Sequence, residues 1–480
     1  MNICKKVWTM KKLLLAGLAL TLTACGAQAG SGESSAPALQ TGPPAAAAEC
    51  NFQGTIDEFY TLPNGEPTAP LGTIVRCQVN NDIPSMDGVG TAYRVLYVTE
   101  DPNNSANTYQ VGDATTRRLS SGVIFVPLGD APSDGRKIVA WDHGTMGMGP
   151  ECAPSRTTNT TLGFQNMEPV TADAAPSTSP GFILNMLNNG WVVTATDYAG
   201  FGTTVPDGQP AQKPLQYLVG APEAFDTMNA VRAARSLPTA QASDTYGVYG
   251  QSQGGHAALF TAQFAKAYAP ELNIVGAFAS DPAAEMQALV AGQWNRLIAW
   301  ILGPEVMVAW PTAAPGLNPQ EVMTDAADKK YGQMAQMCVT DATVPSGIQS
   351  LVGNPFFTES VLTNSEWQSM MATQTPTFDP SVPVAVGQTT NDKVVLASTT
   401  ALLQQSWCDA GANLRMHWVE GPNATGDTLV DIGNGFQAHT QSAFFDAPAA
   451  LEWLSDRFAG GDGKTSLTTP CTDPAPQPLS

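Results

Sequence analysis

Histidine is scarce in this chain: four in 480 residues, at positions 143, 256, 417 and 439. Any chemistry that needs an imidazole must draw on one of those four, so elimination carries weight here. Basic residues are also short, with 22 Lys+Arg against 42 Asp+Glu. That balance repels nucleic acid and anionic lipid head groups, and partners of that kind are excluded. There is no H-E-x-x-H pair, EF-hand loop or cysteine cluster, and no P-loop or dinucleotide fingerprint. No metal and no cofactor is therefore expected. No internal repeat is visible. The apolar run Leu13 to Leu22 is too short to span a bilayer.

That run has the flanks of an export signal. Lys5, Lys6, Lys11 and Lys12 precede it, and Leu22-Thr23-Ala24-Cys25 follows, with small residues before a cysteine. The pattern resembles a bacterial lipoprotein signal over residues 1–24, with Cys25 as the lipidated residue; Met10 offers an alternative start. An ordinary secretory signal with an incidental cysteine is the competing reading. From Gly26 to Ala48 the sequence is almost all Gly, Ala, Ser, Pro and Thr, which cannot bury enough to fold, so 25–49 reads as a tether. Removing residues 1–24 takes away four lysines and no acid, leaving 18 Lys+Arg against 42 Asp+Glu, a formal −24. The expected location is the cell envelope, lipid-anchored, or outside the cell; the only membrane contact expected is that anchor.

With Cys4 and Cys25 set aside, Cys50, Cys77, Cys152, Cys338, Cys408 and Cys471 remain. An even number, an oxidising compartment and no C-x-x-C pair favour disulfides over metal. Sequence neighbours suggest Cys50–Cys77 and Cys408–Cys471, which leaves Cys152–Cys338.

Along the chain, 50–90 is Pro/Gly-rich and reads as irregular, followed by strands at Tyr93–Val98 and Gly122–Val126. The runs 138–141, 191–195, 245–249, 274–278, 383–386 and 414–419 read as strands, several of them apolar enough to be buried on both faces. Helices are expected at 222–235, 255–268 and 448–458. Strands alternating with helices imply an α/β fold with a mostly parallel sheet. The block 282–377 breaks the alternation: it has no clear strand, and its Met, Trp and Ala residues recur at helical spacing. It reads as an inserted helical cap, dividing the core into 50–281 and 378–480. Its apolar residues form the cap's own core in the first place, and a flexible lining for an acyl chain in the second.

The chemistry centres on Gly250-Gln251-Ser252-Gln253-Gly254, a G-x-S-x-G between a strand and a helix, the setting of a nucleophile elbow. A serine hydroxyl needs a base. His256 sits inside the elbow helix, His417 within a strand, and His143 ahead of the elbow. His439 remains, in a stretch read as the loop between the last strand and the last helix. Asp392, after the strand 383–386, is the expected acid; Asp281, one strand earlier, is its rival. The oxyanion donors should be the backbone N–H of Gln253 and one from His143–Gly147, with Thr145 preferred over Met146 or Gly147.

These stretches, together with Trp141-Asp142-His143-Gly144-Thr145, Cys152-Ala153-Pro154-Ser155, Thr196-Asp197-Tyr198-Ala199-Gly200-Phe201-Gly202-Thr203 and Tyr217-Leu218-Val219-Gly220, resemble the secretory lipases of the α/β-hydrolase superfamily over most of 90–458. The resemblance implies an α/β-hydrolase fold with a lid over an acyl tunnel, ester substrates, and Ser252, Asp392 and His439 as the triad. It also strengthens Cys152–Cys338. The lipoprotein N-terminus departs from the usual family pattern. A monomer acting on acyl or other carboxylic esters is expected. A serine peptidase of the same fold and an inactive surface-binding lipoprotein are the alternatives.

Overall fold

The computed structural model describes residues 49–83, 86, 88–103, 112–156, 182–421, 429–463, 465, 467–468, 471–472 and 474–476. All lie in the unit formed by residues 41–480. The signal, Cys25 and nearly all of the tether fall outside the described residues.

Nine strands form one sheet: β1 (Ile74–Val79), β2 (Gly90–Pro102), β3 (Thr115–Pro127), β4 (Arg136–Asp142), β5 (Val192–Thr196), β6 (Ala242–Gln251), β7 (Asn273–Ser280), β8 (Val384–Thr389) and β9 (Leu414–Val419). Their order is β1-β2-β3-β5-β4-β6-β7-β8-β9. β1, β2, β3 and β5 pair antiparallel, and every pair from β5 through β4 to β9 is parallel. This is the α/β-hydrolase fold. The parallel strands β5 and β8 are buried at every position, as continuous apolar runs require when helices cover both faces.

On one face, helices Gly220–Ser236 and Gln253–Tyr268 pack Phe225, Met228 and Leu259 against Val248, Ala277 and Val384. On the other, Phe182–Asn188 and Ser442–Phe458 pack Phe182, Trp453 and Leu454 against Trp141, Tyr249 and Phe278. The sheet is thus sandwiched between helices on both faces.

Three expectations need correcting. The segment 50–90 is not irregular throughout: it holds helix Ile56–Tyr60, capped by Thr55 and Glu58, and strand β1. The stretch ending in His439 is not a loop but helix Leu429–Thr440, whose glycines do not prevent it. The last helix begins at Ser442, with Pro448 inside it.

The block between β7 and β8 is helical, with Leu297–Ala313, Val339–Leu351 and Ser365–Thr373 among its elements. Its core gathers Trp300, Trp310 and Trp367 together with Met146 and Met148 from the segment after β4. That segment is stitched to the block by backbone. Gly147 bridges Cys338, the Met148 N–H donates to the Ala335 carbonyl at 2.9 Å, and the Val339 N–H donates to Met146 at 2.9 Å. A Cβ on Gly147, at φ +101°, would meet the Met337 carbonyl oxygen at 2.2 Å, so only glycine fits.

The disulfides are Cys50–Cys77, Cys152–Cys338 and Cys408–Cys471. Cys152–Cys338 closes the same stitch across 186 residues of sequence, so its loss frees a long loop in the unfolded chain. The double variant Cys152→Ser/Cys338→Ser should lose about 2–5 kcal/mol of unfolding free energy. Denaturant titration of the two proteins measures it, and an unchanged midpoint would contradict the role assigned to this bridge.

Candidate active site

β6 ends at Gln251, and the chain reverses at Ser252 into helix Gln253–Tyr268. Ser252 holds φ 58° and ψ −115°, a conformation that L side chains rarely adopt and that functional sites retain. The turn leaves no room at its flanks. A Cβ on Gly254 would lie 1.8 Å from the Asp142 carbonyl oxygen, and one on Gly250 would lie 2.0 Å from the Gly254 carbonyl oxygen. Both glycines of the G-x-S-x-G pattern therefore answer a steric demand. The Ser252 N–H donates to Ser280 at 2.9 Å, and its carbonyl accepts from the His256 N–H at 3.0 Å, so the turn is pinned at both ends.

Above it stands His439, from helix Leu429–Thr440. Its Nε2 lies 2.9 Å from Ser252 Oγ, and its Nδ1 lies 2.6 Å from Asp392 Oδ2. With the Nδ1–H donating to the carboxylate, Nε2 is free to accept from the serine hydroxyl. The other oxygen of Asp392 accepts the N–H groups of Val394 at 2.6 Å and Val395 at 3.0 Å. Gln251, not singled out in the sequence, donates from Nε2 to the His439 carbonyl at 3.0 Å and fixes the turn that presents the imidazole. Ser252 is 6% exposed, His439 5% and Asp392 0%. Burial pushes the His439 imidazole down to about 4, keeping it a free base. Burial pushes the Asp392 carboxyl upward, and the backbone N–H groups of Val394 and Val395 pull against it by favouring its charge.

The other three histidines each have a different engagement. His143 is fully buried, its Nδ1 2.7 Å from the Gly144 carbonyl, and burial pushes it down to about 4. His256 Nδ1 meets Glu223 Oε2 at 2.9 Å, and His417 Nδ1 meets Asp446 Oδ1 at 2.7 Å. Asp281, the rival acid, is also buried here, with Oδ2 3.9 Å from His439 Nδ1.

Thr145 lines the same cavity of about 600 Å³ as Ser252 and His439. Its hydroxyl is 2.8 Å from the Tyr217 hydroxyl. Among the described residues, the N–H groups of Thr145 and Gln253 make no backbone hydrogen bond. Gln253 is held by its side chain, which donates to Glu223 Oε1 at 2.8 Å. Glu223 also accepts from the Leu218 N–H at 3.0 Å and so links the elbow helix to a neighbouring turn. Sequence reasoning missed this carboxylate; its one signal was an acid in the first turn of helix Gly220–Ser236.

A second cavity of about 610 Å³ adjoins the first and shares Ile298, Leu302 and Val394 with it. Its walls include Trp294, Trp310 and Trp367, and its lining is almost wholly apolar. Among the described residues, two groups bring three metal-capable side chains together. One is Glu151 with the disulfide-bonded Cys152 and Cys338. The other is Asp281, Asp392 and His439, whose Nδ1 is already engaged by Asp392. No helix of the described residues is long and apolar enough to cross a membrane.

A secreted triacylglycerol lipase of Malassezia globosa is 26% identical, over 84% of this chain and 81% of the relative. A probable inactive lipase of Mycobacterium tuberculosis is 25% identical, over 84% of this chain and 82% of the relative. Among solved structures, a rice cell wall degrading esterase from Xanthomonas oryzae superposes with a TM-score of 0.61 at 17% identity, covering 81% of this chain and all of that one, and so shares the fold. The model of the secretory lipase family matches residues 177–465, a stretch that takes in the elbow, Asp392 and His439. On that match, which spans more than half of the sequence, the chain belongs to the secretory lipase family of α/β-hydrolases and is a carboxylic ester hydrolase.

Proposed function

We propose that this hydrolase cleaves fatty-acyl esters through an acyl-enzyme, with Ser252 as nucleophile, His439 as base and then acid, and Asp392 as the carboxylate that holds the imidazole tautomer. The observation that carries the reading is the unbroken chain of contacts at 2.9 Å and 2.6 Å, in a cavity that adjoins an apolar one. Ser252 Oγ adds to the ester carbonyl as His439 Nε2 takes its proton. The carbonyl oxygen becomes an oxyanion, held by the N–H groups of Gln253 and Thr145. The tetrahedral carbon then expels the alcohol, which leaves with the proton returned by His439. Water repeats the sequence and frees the acid.

The acyl chain lies in the cavity beside Ile298 and Leu302, where each methylene leaves water for an apolar wall. The block 282–377 then serves as the cap over the site. Export, with Cys25 carrying a lipid, belongs to the same proposal and rests on the sequence of residues 1–25. The reading as an inactive lipoprotein draws on the Mycobacterium relative alone; labelling of Ser252 by a fluorophosphonate separates it from the active enzyme.

Ser252→Ala should lose a factor of about 10³ or more in kcat on a p-nitrophenyl ester, with an unchanged unfolding midpoint. Ordinary turnover by that variant would sink the assignment. A protonated His439 cannot accept the serine proton, so activity disappears as pH falls through the imidazole pKa. Because burial lowers that pKa, the acid limb of kcat/KM should lie below 6.5, the ordinary value for histidine. A limb at or above it would contradict the desolvated base. Leu302→Trp at the junction of the two cavities should reduce kcat/KM for long acyl chains by about tenfold relative to butyrate; a chain-length series reads the ratio, and an unchanged ratio places the acyl chain elsewhere.

A further inference from the structure

A second carboxyl group lies beside His439, and the reaction as written does not use it. Asp281 follows β7, the strand between β6, which leads into Ser252, and β8, which leads to Asp392. It is fully buried and holds φ 42°, in the left-handed region. Its N–H donates to the Gly387 carbonyl at 2.9 Å. Its Oδ1 accepts the Thr389 N–H at 2.7 Å, and its Oδ2 lies 3.1 Å from the Thr389 hydroxyl. The same Oδ2 lies 3.9 Å from His439 Nδ1, and ligand atoms of Asp281, Asp392 and His439 all fall within 4.8 Å of one another.

Two carboxylates this close, without water, cannot both be charged: like charges in a low dielectric repel by more than one proton costs to bind. The structure indicates which of them keeps the proton. Asp392 receives three donors, the N–H groups of Val394 and Val395 and the Nδ1–H of His439. Asp281 receives one N–H and one hydroxyl. The charge therefore settles on Asp392, and burial together with that charge holds the Asp281 carboxyl far above the usual carboxylate range. Asp446 and Tyr249, the other titratable groups that act on Asp281 or feel it, are both buried, and both are driven toward their neutral forms by burial.

Building on the triad proposed above, we propose that Asp281 is a positioning acid of this reaction. It shares one proton with Asp392, so that the pair meets His439 with a single negative charge, and it becomes the acceptor for the Nδ1–H when Asp392 cannot be. Bringing Oδ2 from 3.9 Å into hydrogen-bond range of the imidazole takes a shift of only about 1 Å. With Asp392 replaced by a neutral group, the neighbouring charge that adds to burial is gone and the positive imidazolium formed on His439 favours ionisation of Asp281, which then holds the tautomer in its place. An aspartate that merely tied β7 to β8 through Thr389 would do none of this.

The test is a double-variant cycle on a p-nitrophenyl ester with D281N, D392N and D281N/D392N. D281N should lower kcat by about three- to tenfold and D392N by about 10²-fold, with KM nearly unchanged in each. The double variant should fall by about 10⁴-fold, more than the product of the single losses, because no carboxylate is left to hold the imidazole. Losses that simply multiply, or a double variant no worse than D392N, would overturn the proposal. A second readout needs only one isosteric change. The low-field proton resonance of the His439 Nδ1–H should persist in D392N if Asp281 has taken over, and its absence there overturns the proposal even where the double variant does not fold. Failure of the cycle alongside an inactive Ser252→Ala removes only this inference, whereas an active Ser252→Ala removes the triad reading on which it rests.

Discussion

No side chain can stand where the elbow helix crosses the end of β4. At 1.8 Å from the Asp142 carbonyl, even a methyl group on residue 254 would push the helix from the sheet. Most of the site's geometry descends from that contact. Close packing of Gly254 under β4 lets the chain turn at Ser252 with φ 58° and aims the hydroxyl over the strand ends. The strain at Ser252 persists because its own N–H and carbonyl are both bonded to fixed backbone, at Ser280 and His256.

Around this turn buried carboxylates gather polar groups that lie out of reach of water. Glu223 serves three donors from Leu218, Gln253 and His256. Asp446 serves Ser280 and His417. Removing one member of such a set leaves the others buried and unpaired, at about 1–3 kcal/mol for each neutral group. The network is thus a rigid frame for the elbow and for the strand ends. Where a buried carboxyl lacks donors, burial keeps its proton on: Glu305, within the helical block, has an unpartnered oxygen and is held far above the usual range.

This arrangement also explains what could be read from the sequence and what could not. The inner strands were legible because burial on both faces demands runs such as Val192–Thr196 and Val384–Thr389. The residues now found around Ser252 were legible through scarcity, since four histidines leave little to choose from. The helix Leu429–Thr440 was not legible. Gly433 and Gly435 argue for a loop by propensity, and tertiary packing of His439 and Ala438 against the strand ends outweighs them. β1 was hidden in a Pro/Gly-rich stretch because an edge strand with one partner needs little apolar pattern. Glu223 and Gln251 were invisible for a different reason: their roles exist only through residues distant in sequence.

The apolar cavity has one further property, which concerns descent rather than mechanism. Apart from Leu218 and Val394, every residue lining it falls between Met286 and Met371, a single uninterrupted stretch of chain. Ser252, Asp392 and His439 all lie outside that stretch. Mutation, recombination or loop grafting confined to 286–371 can therefore reshape the cavity while Ser252, Asp392 and His439 keep their places. The cavity lining and the Ser252–His439–Asp392 contacts are thus encoded on separate pieces of sequence, and either can change without the other.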